Sequence, residues 1–198
     1  MALLPILTYP DTELRKEAPE VDGVDDELRT LLDDMAETMY AAPGVGLAAI
    51  QVGRMVRALV MDLPEPDDEG RSPGEAVTPE GEQLYGLVAL VNPRVVEASG
   101  EPISWEEGCL SVPGIFEEVK RPGRVRVEAL DREGQPLVFE ATGLPAVAVQ
   151  HEIDHLDGVL FIDRLPPVKR RLVKKRIDKA IEEGDYPPPR KAAASEEA

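Results

Sequence analysis

The chain has only two histidines, and both lie in one nine-residue stretch, QHEIDHLDG (Gln150 to Gly158), as His151 and His155. On an α-helix, side chains four residues apart stand one turn apart on the same face. The two imidazoles can therefore present nitrogen to one metal ion. Glu152, next to that face, can take a proton from a water held there without itself being a ligand. Composition alone would place the only two histidines at this spacing, with a glutamate after the first, roughly one time in a thousand.

Two ligands rarely hold a catalytic metal, and the metallohydrolases that share His-Glu-x-x-His differ in their third. A third histidine in the spacing of one class would fall at Phe161, which cannot ligate. A glutamate from a later helix would have to be Glu182 or Glu183, in the polar stretch IEEGDYPPP. The remaining candidate is the lone cysteine, Cys109, in EEGCLSVPG. A free cysteine is more often a small buried hydrophobe. Here Gly108 and two acids precede it and SVPG turns the chain after it, which places the thiol at a strand end or in a loop. A Cys-His-His set leaves a fourth position open, the pattern of a catalytic rather than a structural site. Thiolate is the stronger electron donor, so a water there is less acidic than with three histidines, and Glu152 as general base becomes more necessary. Fe²⁺, Zn²⁺, Ni²⁺ and Co²⁺ all suit such donors.

What positions these residues is one domain's worth of chain: 198 residues, 42 % apolar, 31 % charged and 4 % aromatic. The core must be built from Val, Leu, Ile and Ala. No apolar run approaches the roughly 20 residues of a membrane-spanning helix, and MALLPIL, with Pro5 and no basic residues ahead of it, reads poorly as a signal peptide. One cysteine makes no intramolecular disulfide, so a reducing, cytoplasmic location is expected. The net charge of −17 is uneven. Asp62 to Glu82 carries eight acidic residues against Arg71, whereas Arg164 to Lys179 carries eight basic residues against Asp178. An acidic body repels nucleic acid, so no DNA partner is expected, although a local basic helix can still touch phosphates.

VDDELRTLLDDMAETMYAAPG has helical spacing at Leu28, Leu31, Leu32, Met35 and Met39, with Asp25 or Asp26 as cap and Pro43-Gly44 as stop. GVGLAAIQVG is a small-residue loop leading into the strand VRALVMD. Residues 63–86 lack periodicity and are expected to form an acidic surface excursion between strands. LVALVNP is a buried strand ending at Pro93, and RVRVEALDREGQPLVFEA is a β-hairpin turning at DREG. LPAVAVQHEIDHLDG is a helix that Gly158 stops. VKRRLVKKRIDKAIEEG is a basic amphipathic helix, apolar at Leu172, Val173, Ile177, Ala180 and Ile181. Residues 185–198 read as a disordered tail. Strands and helices do not alternate, which predicts an α+β fold.

Three stretches taken in order, GVGLAAIQ (Gly44 to Gln51), EGCLS (Glu107 to Ser111) and QHEIDHLDG, resemble the motifs of the peptide deformylase family. The likeness extends to ILTYPDTELR and VLFIDRL and covers most of residues 5–165. It implies an α+β catalytic domain over residues 1–165, with small antiparallel or mixed sheets around the metal-binding helix. Residues 166–184 would add the C-terminal basic helix to the same domain. It also implies hydrolysis of the N-formyl group from nascent peptides that begin with formyl-methionine, with Fe²⁺ the expected metal. Carried over by residue, Cys109, His151 and His155 would be ligands, Glu152 the general acid/base, and Gln51 with the backbone N–H of Leu110 the donors to the formyl oxygen. A fixed amide and a backbone N–H are suited to a developing oxyanion. The run around Gly46 lets backbone approach an extended peptide. The family's pattern further suggests that Glu107 pairs with Arg121 to hold the cysteine segment. The basic helix would suit contact with ribosomal RNA, and a monomer is expected. Two rivals remain: another Cys-His-His amidase or peptidase, and a ribosome-associated binding protein without catalysis.

Overall fold

The computed structural model describes residues 2–187. Its elements in chain order are α1 (Asp26–Ala41), β1 (Gly46–Ala48), β2 (Ala58–Leu63), β3 (Ala76–Val77), β4 (Gly86–Cys109), β5 (Val112–Leu130), β6 (Pro136–Thr142), α2 (Gly143–Leu156) and α3 (Pro167–Glu183), with 3₁₀ turns at Thr12–Arg15, Ala49–Val52 and Phe161–Arg164. The strands form one six-stranded sheet, ordered β1-β2-β4-β5-β6-β3, in which every pairing is antiparallel. This is the expected α+β arrangement, with the small sheets joined into one.

The sheet is sandwiched at β2. Leu59, Met61 and Leu63 face a core shared with Val149, Ile153 and Leu156 of α2. Ala58 and Val60 face Leu28, Leu32, Met35 and Met39 of α1 on the other side. This period-two alternation lets one strand serve both helices, and each large aliphatic side chain so buried contributes about 1.5–3 kcal/mol. Asp25 caps α1 by accepting from the Leu28 N–H at 2.8 Å, and Asp26 and Glu27 favour the positive end of the helix dipole. A third cluster joins the tip of the β4–β5 ribbon to residues 160–165 and α3, through Val112, Val119, Phe161, Val173 and Ile177.

Four expectations need correction. The strand expected to stop at Pro93 continues to Cys109. Its register shifts between Val91 and Arg94, with Asn92 at φ 50°. The Asn92 amide bonds both the N–H (2.9 Å) and the C=O (2.8 Å) of Val21, so the missing proline N–H falls in a bulge and costs no ladder bond. The acidic excursion is more than surface. Ala76–Val77 pairs with β6, and the carbonyls of Pro73 and Glu75 accept from Leu144 N (3.0 Å) and Thr142 N (2.8 Å). Those carbonyls satisfy donors at the start of α2 that a helix leaves unpaired. On α3, Val173 and Ile177 are buried and Ala180 and Ile181 pack beside them, but Leu172 is exposed. Tyr186, placed in the tail by sequence, is buried in the third cluster; residues 188–198 lie outside the described residues.

Candidate active site

α2 is apolar almost all round, which is the signature of a helix buried in the centre of a domain. Embedded in it are four buried titratable side chains, His151, Glu152, Asp154 and His155, and burial on this scale requires specific partners. Cys109 meets two of them. It is the last residue of β4, beyond a register shift after Glu107. The ligand atoms of Cys109, His151 and His155 lie within 4.8 Å of one another, with Cys109 Sγ 3.1 Å from His155 Nε2. Among the described residues this is the one Cys/His/Asp/Glu group that converges in this way.

The orientations of His151 and Gln51 have visible causes. Glu107 Oε2 lies 2.8 Å from His151 Nδ1, which leaves Nε2 to turn towards the cysteine. Arg121 in turn donates to Glu107 from Nε (2.5 Å) and Nη2 (2.9 Å), a two-bond form of the pairing that the family resemblance suggests. Phe161 stacks against the His151 ring at 5.9 Å. On the other side, Gln51 Oε1 accepts from the Ala48 N–H at 2.8 Å. Its Nε2 therefore points into the site, 3.0 Å from Ser111 Oγ and 3.6 Å from Cys109 Sγ. The residues fit a metal: three converging N and S donors, largely buried, with His151 held by Glu107 and both donor types suited to a divalent transition ion.

Glu152 has an unpartnered buried oxygen, Oε2. Burial is the main cause that raises its pKa to about 7, against the lowering effect of His151 and Arg121. For His151, burial opposes the charge, but bonds to Cys109 and Glu107 prevail and raise its pKa well above the usual value. His155 is driven the other way, by burial and then by the charge of His151. Positive charge brought to the three donors favours the carboxylate of Glu152.

A cleft of about 490 Å³ opens onto this group, lined by Gly44, Gly46, Leu110, Leu144, Val147 and Ala148 among others. A wider groove of about 1080 Å³, between the N-terminal arm and α1, holds none of the four reactive groups. The pattern of the polypeptide deformylase family matches residues 3–171. The chain belongs to that family. A peptide deformylase of Syntrophobacter fumaroxidans is 49 % identical over 183 residues, covering 92 % of this chain and 98 % of its own. The crystal structure of the Ehrlichia chaffeensis deformylase superposes with a TM-score of 0.80 at 42 % identity, covering 93 % of this chain and 99 % of that one. A Met-Ala-Ser-bound deformylase of Acinetobacter baumannii superposes with a TM-score of 0.71 at 34 % identity, covering 83 % and 99 %.

Every site residue singled out in the sequence as a deformylase resemblance lies at or beside this cleft. Gly46 comes close to the Glu152 carboxyl: a Cβ there would stand 2.4 Å from Glu152 Oε1. Gly46→Ala should therefore displace Glu152 and reduce kcat at least tenfold. Circular dichroism and metal content should stay at wild-type levels, and unchanged kcat would show that Glu152 can retreat at no loss. Sequence reasoning missed Ser111, Asp154 and Arg164. Asp154 did carry a signal, as a carboxylate in an apolar helix that must find a cation. Arg164 gave none.

Proposed function

We propose that this chain removes the N-formyl group from peptides beginning with formyl-methionine, releasing formate and a free α-amine. The observation that carries the reading is the convergence of Cys109, His151 and His155 beside the unpartnered carboxyl oxygen of Glu152. Cys109, His151 and His155 would hold one divalent ion, which supplies Lewis-acid activation of water and of the formyl oxygen. Fe²⁺ is the expected native ion, with Zn²⁺, Ni²⁺ or Co²⁺ able to replace it.

The chain's own groups do the rest. Among the described residues β1 ends the sheet, so its outer edge at Gly46 can take an extended peptide as an added strand, and Gly44 and Gly46 let that backbone come close. The apolar wall of Leu144, Val147 and Ala148 accepts an unbranched side chain such as that of methionine. The Gln51 amide, held by Ala48, and the backbone N–H of Leu110 stabilise the formyl oxygen as negative charge develops on it. Glu152 takes a proton from the attacking water and delivers it to the departing nitrogen as the C–N bond breaks. The Met-Ala-Ser complex of the Acinetobacter relative supports this assignment of the product.

Protein prepared without oxygen and loaded with Fe²⁺ should release formate from formyl-Met-Ala-Ser and leave acetyl-Met-Ala-Ser intact. Equal hydrolysis of both would mean a broader amidase, and hydrolysis of neither by loaded protein would leave a binding role. We assign a cytoplasmic, monomeric state and place the outer face of α3, with Arg171, Lys175 and Lys179, against ribosomal RNA. Because Val173 and Ile177 tie α3 into the core, charge reversal at Arg171 and Lys175 is a cleaner test than truncation. Unchanged co-sedimentation with ribosomes at low salt would end that assignment.

A further inference from the structure

We propose that Arg164, which lies outside the three motifs, is a positioning residue for the metal centre. It acts through Asp154, Arg121 and Glu107 on the His151 ring. The inference rests on the Cys-His-His centre described above and adds a residue to the support of its His151 ligand.

The contacts form one continuous path. Asp154 lies on α2 between the two histidines and is 5 % exposed. Its Oδ2 accepts from Arg121 Nη1 at 2.8 Å and from Arg164 Nε at 3.0 Å, and its Oδ1 accepts from Arg164 Nη2. Arg121 spends its other two directions on Glu107, which holds His151 Nδ1. Arg164 itself comes from the 3₁₀ turn after α2, and its side chain is 49 % exposed. The network thus runs from solvent to a metal ligand.

Charge shows why the outer residue matters. Glu107 and Asp154 are two buried carboxylates that share a single buried guanidinium, Arg121. With His151 neutral, as a metal ligand must be, these three side chains carry one excess negative charge away from water unless a second cation joins them, and Arg121 must divide its donors between two claims. Arg164 restores neutrality, so Arg121 can remain committed to Glu107. The fork geometry also matters: Arg164 engages both oxygens of Asp154 at once, which a lysine reproduces only in charge. Arg94 lines the same cleft of about 300 Å³ but pairs with Glu128 instead, and so provides a charge-matched control.

The test uses full-length protein loaded with Co²⁺, and follows loss of the cobalt–thiolate absorption after mixing with excess chelator. Supporting partners of metal ligands typically alter metal affinity by about 10–100-fold. Arg164→Gln should release Co²⁺ about tenfold faster than wild type, with kcat of the loaded enzyme lowered and KM unchanged. Arg164→Lys should recover part of the loss, and Arg94→Gln should match wild type. The double variant Asp154→Asn/Arg164→Gln, which removes both charges, should release metal more slowly than Arg164→Gln alone. Wild-type release from Arg164→Gln would overturn the proposal, as would equal acceleration in Arg94→Gln. Failure of the wild type to hold Co²⁺ would instead overturn the metal centre itself, whatever the arginine variants do.

Discussion

Glu152→Gln should reduce formate release by about 10²- to 10⁴-fold, the range for losing a positioned general acid/base, while the protein keeps its fold and its metal. Glutamine preserves the shape that Gly46 packs against but has no lone pair basic enough to accept the proton. The same variant should gain stability in the metal-free state. Unfolded Glu152 ionises near the ordinary glutamate value of 4.5, whereas burial holds its proton to about 7 in the fold. Between those values the unfolded state binds fewer protons, so stability falls as pH rises, and above 7 the whole cost is present. Metal-free Glu152→Gln should therefore match wild type at low pH and exceed it at pH 8, by up to about 3 kcal/mol. Denaturant melts at the two pH values check this. A variant no more stable at pH 8 would show that Glu152 is better solvated than its burial indicates.

The second large effect is expected at Arg121. Its guanidinium is 3 % exposed and is shared by two carboxylates, Glu107 and Asp154, both themselves buried. Removing one partner of a buried ion pair leaves an uncompensated charge and costs about 3–5 kcal/mol. For a chain of this length that corresponds to a Tm lower by roughly 10 °C. Arg94→Ala, at an exposed pair, should change stability by less than about 1 kcal/mol. Arg121→Ala should also bind metal more weakly, because Glu107 loses both of its fork bonds and with them its hold on His151. Thermal melts with and without Zn²⁺ separate the two consequences. Equal losses for the two arginines would mean that the buried network contributes no more than a surface pair.

The reactive residues were legible because their chemistry is local. The His-Glu-x-x-His spacing works within one helix, and the cysteine was left by elimination among few candidates. The Asp25 cap, the hairpin at residues 131–134 and the apolar faces of α1 and α2 also depend on neighbours within a few residues. Apart from Leu172, which simply faces solvent, the misreadings involve distant partners. Pro93 reads as a strand end unless Asn92 is known to bond Val21, 71 positions away. Ala76–Val77 is too short to show alternation and is a strand only because β6 lies beside it. Tyr186 follows a glycine stop and a polar run, yet the cluster beneath α3 has room for its ring. Arg164 looks like any cation on a surface turn until Asp154 is placed next to it.

The acidic excursion bears on how the chain can be divided. Its tip, residues 65–71, is exposed and braced mainly by Asp67, which bonds Glu69 and Arg71. Both roots are anchored elsewhere: β2 is zipped to β4 over six residue pairs, and Pro73 to Val77 is fastened to β6 and the start of α2. A break after Asp68 would leave Gly46 and Gln51 on one piece and Cys109, Glu152 and both histidines on the other. Neither piece would hold a complete site, and the β2–β4 zipper would supply the means of reunion. A chain cut there would therefore be silent while its halves stay apart, and complete in its site only once they meet.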